Sequence, residues 1–353
     1  MNNKALTFDD VLLVPRFNKI KSRKDVSTKM IDTSGKLELE LPIMSSNMDT
    51  ITESSMAHFM HKSGGIGVLH RFMDIDRNVD EFKKSPMKTF VSVGTGDKEY
   101  ERFEALLSAG ADYFCVDVAH GHAVYIGEMI IKMKMKNPDI CIMAGNVATY
   151  EGAEYLKAMG ADIIKVGIGP GSVCTTRIKT GFGVPQLDAI EQCSKVGVSV
   201  VADGGIKTPG DIVKALAFGA DFVMLGSMLS GTKYTPGEVY ERASGELIPA
   251  YCLNSDHAGK GAVKIYRGMA SKEVADEYVG GLTEWKTAEG VATKVPYKGE
   301  SETKFIIADI VGGLRSGMTY AGVDNIRDLQ KNVNYVEITN SGLIESKPHK
   351  LEG

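Results

Sequence analysis

No apolar run in this 353-residue chain is long enough to span a bilayer, and the opening MNNKALTFDD has no signal-peptide core. Neither a membrane protein nor an exported one is expected, and the cytoplasm is the expected compartment. An excess of positive charge is also missing. Lys and Arg number 41 against 45 Asp and Glu, a net charge of -4, so there is no polybasic footprint for nucleic acid or an anionic membrane. The short basic cluster from Lys19 to Lys24 reads as a solvated loop. Cysteine is scarce: five residues, an odd number, none in a CxxC pair. That excludes a disulfide framework, a zinc ribbon and a dithiol redox motif, and it fits a reducing compartment. No Pro/Ser-rich linker or shift of composition marks a second domain, so residues 1–353 read as one unit. With 43% hydrophobic and 24% charged residues, the chain has enough apolar surface for a large core.

What is present is a recurrence. Short apolar runs begin near Leu41, Gly64, Lys88, Asp112, Asp139, Ile163, Val198 and Asp221, with helix-length segments between them. Most starts are about 24 residues apart, the length of one βα unit. Intervening stretches such as Glu101 to Gly110 and Tyr150 to Gly160 end in glycine, as helices with left-handed caps do. Eight such units predict an α/β fold, a (β/α)8 TIM barrel, whose active site lies at the carboxyl ends of the strands. Residues 231–305 interrupt the pattern after strand eight and read as a flap insertion. Ile306 to Arg315 and Val323 to Gln330 read as helices, and 335–353 as an extended C-terminal arm.

The sixth unit carries the most chemistry. The run IIKV from Ile163 ends in a Gly/Pro/Ser loop with Cys174 at its centre and Thr175 and Thr176 next to it. Glycines at 167, 169 and 171 let the backbone approach a ligand or ion closely, and a hydroxyl beside a thiol can relay a proton. The alternative is a tight turn holding an inert cysteine. Strands seven and eight end in Asp203-Gly204-Gly205 and Gly226-Ser227, where such barrels bind phosphate, although these glycines equally suit plain βα turns. His120 and His122 form a pair without a third ligand, too few for a metal site.

Nine segments, taken together, carry a resemblance: TFDDVLLVP at Thr7, NMDT at Asn47, GGIGVLH at Gly64, GNV at Gly145, KVGIGPGSVCTTR at Lys165, ADGGI at Ala202, FVMLG at Phe222, YRGM at Tyr266 and VGGLRSGM at Val311. In this order, nearly end to end, the chain resembles the inosine monophosphate dehydrogenase and guanosine monophosphate reductase family. The resemblance implies a purine nucleotide substrate and a covalent thioimidate between Cys174 and purine C2, with hydride exchanged against a nicotinamide. It further implies Thr176 and Glu289 as a proton relay. Ser46, Met48, Ser172, Asp203, Gly205, Gly226, Ser227, Tyr266, Gly268, Met269 and Gly290 would hold the nucleotide. Asp117, Asn146, Arg71 and Lys165 would lie toward the nicotinamide. A monovalent cation, potassium, would be held by carbonyls of Gly169, Gly171 and Cys174, completed by Glu345, Ser346 and Lys347 of a neighbour in a homotetramer.

Two branches of the family differ in how the adduct resolves. Lys179-Thr180-Gly181 after the cysteine and VGGLTEWKTAEG in the flap resemble reductases, and no Arg-Tyr pair stands between Met269 and Glu289 to activate water. No CBS module is inserted after the second unit. These features imply NADPH-dependent reduction of GMP, with NADH as the other donor. His120-Gly121-His122, GGIGVLH and the tail from Ser341 to His349 resemble dehydrogenases, which oxidise IMP with NAD. A nucleotide sensor without activity is a third reading, disfavoured by intact Cys174, Thr176 and Glu289.

Overall fold

In the computed structural model, which describes residues 4–249, 252–253, 261–331 and 334–348, eight parallel strands close into a barrel. They are β1 (Ile43–Ser45), β2 (Ile66–Leu69), β3 (Phe90–Val93), β4 (Tyr113–Asp117), β5 (Cys141–Val147), β6 (Ile163–Val166), β7 (Ser199–Asp203) and β8 (Phe222–Leu225). Each pairs with its neighbour in sequence, and β8 returns to β1 with Val223 opposite Ile43. All eight expected runs are strands of this barrel. Those of β1, β2, β3, β6 and β8 are buried throughout, as strands covered on both faces must be.

The outer ring comprises α1 (Ser54–Lys62), α2 (Ile75–Lys83), α3 (Asp97–Ser108), α4 (Val124–Lys136), α5 (Tyr150–Ala158), α6 (Gln186–Ser194), α7 (Pro209–Ala217) and α8 (Glu300–Ala321). Their limits are written locally. At α7 the Thr208 hydroxyl accepts from the Asp211 N–H at 3.2 Å, the Asp211 carboxylate accepts from the Thr208 N–H at 3.0 Å, and Pro209 opens the helix. Gly110 and Gly160, at φ +97° and +104°, close α3 and α5 as expected. Between barrel and helices, Phe90, Phe103 and Phe114 are fully buried, each contributing about 1.5–3 kcal/mol by leaving water.

The segment between β8 and α8 is more regular than its sequence implies. It contains β9 (Val239–Glu241), β10 (Leu247–Ile248), β11 (Ala262–Arg267) and β12 (Ala292–Pro296), an antiparallel sheet in the order β10-β9-β11-β12. β9 and β10, of three and two residues, are too short to display a period, which is why that half of the sheet is not legible. The flap proper is the excursion 268–291 between β11 and β12. Helix α8 starts at Glu300 rather than Ile306, so residues 300–305 belong to it and not to the insertion. A short helix after α8 spans Ile326–Lys331. The tail is not extended throughout: Tyr335–Glu337 pairs antiparallel with Val11–Leu13, and Asn340–Glu345 is helical, capped by Thr339. His349 and the residues after it lie outside the described residues. Among the described residues no helix is long and apolar enough to cross a membrane.

Candidate active site

The strand ends open onto one cavity of about 710 Å³. Ser46 and Met48 reach it from β1, Arg71 from β2, Asp117 from β4, Asn146 from β5 and Lys165 from β6. The cysteine loop contributes Gly169, Gly171, Ser172, Cys174 and Thr176. Asp203 ends β7 and Gly205 follows it, Gly226 and Ser227 follow β8, and Tyr266, Gly268, Met269 and Glu289 come from the insertion. Gly290 stands behind the wall, where its backbone bridges Cys174 and Ser271. Residues as distant in the chain as Ser46 and Glu289 thus converge, because every βα loop of a closed parallel barrel leaves from the same rim.

Burial sorts the five cysteines. Cys115 and Cys193 are buried in apolar surroundings that push both thiols up to about 12, and burial raises Cys141 as well. None of these three is a usable thiolate near neutral pH. Cys252 is exposed and does not line the cavity. Cys174 is half-buried in the cavity wall, and its Sγ donates to Thr176 Oγ1 at 3.2 Å. Thr176 Oγ1 in turn donates to Glu289 Oε2 at 2.8 Å. Thiol, hydroxyl and carboxylate therefore form one continuous proton path.

Backbone pairing fixes that path. The Thr175 N–H donates to the Glu289 carbonyl at 2.8 Å, the Val291 N–H to the Val173 carbonyl at 3.0 Å, and the Glu289 N–H to the Ala270 carbonyl at 2.9 Å. The flap base and the cysteine loop are thus stitched together as a small irregular sheet. A Cβ on Gly268 would lie 2.9 Å from the Val173 carbonyl oxygen and 3.2 Å from Gly290 Cα, so only glycine permits this approach.

Across the floor, Lys165 is 2% exposed and ties four strands together. Its Nζ donates to Asp117 Oδ1 at 2.7 Å, to Asp203 Oδ2 at 3.1 Å and to Asn146 Oδ1; Asn146 Nδ2 also donates to Asp203 Oδ2 at 2.9 Å. Burial alone would lower the lysine's pKa, but the two carboxylates outweigh it and hold the ammonium above the ordinary lysine range. For Asp117, burial works upward and is overcome by Lys165, Arg71 and Asn47, leaving the carboxyl below its usual value. On the other side, Ser172 Oγ and the Tyr266 hydroxyl lie 3.3 Å apart, next to Gly226 and Ser227.

A family model described as the IMP dehydrogenase / GMP reductase domain matches residues 5–349. The chain belongs to this family. An inosine-5'-monophosphate dehydrogenase of Cryptosporidium parvum is 39% identical over 99% of this chain and 96% of the relative. Human GMP reductase 1 is 38% identical over 95% of each chain. A crystal structure of inosine 5' monophosphate dehydrogenase from Legionella pneumophila superposes with a TM-score of 0.84 at 58% identity, covering 96% of this chain and 100% of that one. As a member of the family the chain is an oxidoreductase acting on purine nucleotides with a nicotinamide cofactor.

The cavity suits that pairing. Its β2 to β5 side offers the Asp117 carboxylate, the Asn146 amide and Arg71, whose Nε is buried without a partner. The turn carbonyls of Gly169 and Gly171 are hard oxygen donors of the kind a potassium ion takes. Glu345, Ser346 and Lys347 are not part of the cavity wall of their own chain; they end the short helix at the tail. His120 and His122 stack edge to face at 6.5 Å, and no His/Cys/Asp/Glu group among the described residues could hold a metal ion. Sequence reasoning missed Phe72, Trp285 and Thr287 in the wall, and the ion pair from Arg267 to Asp49. For Arg267 the only signal was its place in YRGM; Trp285 and Thr287 were signalled only by their place in VGGLTEWKTAEG.

Proposed function

We propose that the protein is a GMP reductase, releasing ammonia from GMP and delivering IMP by way of a thioimidate on Cys174. The observation that carries this reading is the path from Cys174 through Thr176 to Glu289, closed by a flap that holds no arginine between Met269 and Glu289. Cys174 adds to C2 of the purine, and its proton passes toward Glu289. Protonated Glu289, through Thr176, donates to the departing C2 amino group, because neutral ammonia leaves where an amide anion does not. Loss of ammonia generates the thioimidate. A bound NADPH, or NADH in its place, would supply hydride to C2, letting the Cys174 sulfur depart as thiolate. Asp117 and Asn146 orient the nicotinamide with Arg71 near them, while Asp203 accepts from ribose hydroxyls. Ser172, Gly205, Gly226, Ser227 and Tyr266 hold the phosphate; Ser46, Met48, Gly268, Met269 and Gly290 enclose the base.

The assembly that fits these roles is a cytoplasmic homotetramer in which potassium, bound by the carbonyls of Gly169, Gly171 and Cys174, is completed by a neighbour's Glu345, Ser346 and Lys347. The second reading, IMP dehydrogenase with NAD, is favoured by the 58% identity to the Legionella inosine 5' monophosphate dehydrogenase. One assay separates them. Purified enzyme with GMP and NADPH should consume the cofactor stoichiometrically with IMP and ammonia formed. With IMP and oxidised cofactor but no ammonia, reduced cofactor should stop at about one equivalent per active site, since Cys174 can be loaded once but not hydrolysed. Sustained formation of xanthosine monophosphate would establish the dehydrogenase instead.

A further inference from the structure

Arg267, the last residue of β11, joins three parts of the molecule. Its Nε donates to Asp49 Oδ2 at 2.9 Å, and its Nη2 bonds to that same oxygen and to Glu277 Oε2 at 2.6 Å. Asp49 follows β1 in the barrel and its side chain is 4% exposed, whereas that of Glu277, in the wide helical turn Ala275–Val279 of the flap, is 49% exposed. The guanidinium carbon also lies 5.8 Å from the centre of the Tyr278 ring, and Tyr278 meets the edge of Phe72 in the cavity wall at 6.0 Å. Arg77 of α2 adds attraction for Glu277. Immediately after this turn come Gly280 and Gly281 at φ +80° and +99°, a flexible pair from which Leu282, Trp285, Lys286 and Thr287 hang against the cavity.

The two ion pairs differ in what breaking them costs. Asp49 already has its other oxygen, Oδ1, buried without a partner, so withdrawing Arg267 would strand a carboxylate away from water. Glu277 is half in solvent, and water can take the place of its partner. A flap that moves would therefore part at Glu277 and leave Arg267 on Asp49.

We propose that Arg267 is the latch of the flap: anchored on Asp49, it grips Glu277 when residues 282–288 cover the cavity and releases it when they lift to pass ligand. Arg267 is here a positioning residue, and the proposal holds whichever of the two reactions the enzyme catalyses. The test uses the full-length protein without ligand. Trypsin cleavage after Lys286 reports on this segment. In the wild type, cleavage should accelerate with added salt as the half-exposed pair is screened. Glu277→Gln should be cleaved about fivefold faster at low salt, the scale of a partly exposed pair, and should lose the salt response. Its urea midpoint should stay at the wild-type value, since only the flap is released. The wild-type salt series needs no substitution and so tests the latch independently of the variant. Equal cleavage rates and equal salt responses in wild type and Glu277→Gln would overturn the proposal.

Discussion

Cys174 differs from the other cavity-side groups in that its place at the strand end was legible locally. An apolar β-branched strand running into a Gly/Pro/Ser loop places a thiol at a barrel rim, and the structure keeps that thiol half-exposed while burial silences Cys115, Cys141 and Cys193. Cys174→Ala should abolish turnover while calorimetric binding of the nucleotide persists, because the phosphate and ribose contacts proposed above lie elsewhere in the wall. Glu289→Gln should slow the deamination step about a hundredfold, the usual loss for a general acid, with hydride transfer measured from an isolated adduct affected less. Lys165 is a different kind of residue: its partners Asp117, Asn146 and Asp203 sit on separate strands, so no sequence pattern announces the network. Lys165→Met should lower the urea-derived stability by about 3–5 kcal/mol by leaving two carboxylates facing each other. The sign of its pH dependence follows from the shifts. Asp117 is depressed when folded, so its contribution is present above the ordinary aspartate value of about 3.9 and is lost as pH falls through the lower folded value. Lys165 is raised, so its contribution is full below the ordinary lysine value of about 10.4 and persists until pH passes the higher folded value. Asp117→Asn should accordingly flatten the acid limb of a stability profile below about pH 4, read by urea titration.

Among the elements, the barrel strands were legible because each is a run of consecutive buried residues between turn signals, and a run of that kind needs no partner to be recognised. The insertion was not, because strands as short as Leu247–Ile248 show no alternation and owe their order to their neighbours in the sheet. Lys264 of β11 illustrates what such a sheet tolerates. It is 4% exposed, and its Nζ reaches the Thr235 carbonyl, the Thr235 hydroxyl at 3.2 Å and the Thr232 carbonyl at 3.5 Å. Burial lowers it to about 8, only partly opposed by Glu238. The folded protein then binds fewer protons than the unfolded chain between pH 8 and the ordinary 10.5, so stability should rise with pH across that window. Urea midpoints at the two ends of the window, compared between wild type and Lys264→Met, should show the rise only in the wild type.

At the scale of the whole molecule, the closed barrel fixes where ligands can enter, and most residues expected at the strand ends, from Ser46 to Ser227, met in one cavity, whereas Asp49, His70, His120 and His122 do not line it. What the sequence could not place was the tail, whose strand pairs with a partner at the opposite end of the chain. If a neighbour's Glu345, Ser346 and Lys347 complete a potassium site, activity should rise with potassium over sodium or choline, and deletion after Gly342 should remove the stimulation. Equal rates in the three salts would count against that arrangement. The pairing of Val11 with Glu337 and of Leu13 with Tyr335, together with the Lys4 to Glu337 ion pair at 3.3 Å, brings an early and a late segment of the chain side by side. A ring has no privileged starting point once its ends adjoin. A circular permutant, with tail and start joined by a short glycine linker and new termini cut between Asn137 and Pro138 in the exposed loop after α4, should assemble the same barrel with a near-native urea midpoint and retain turnover.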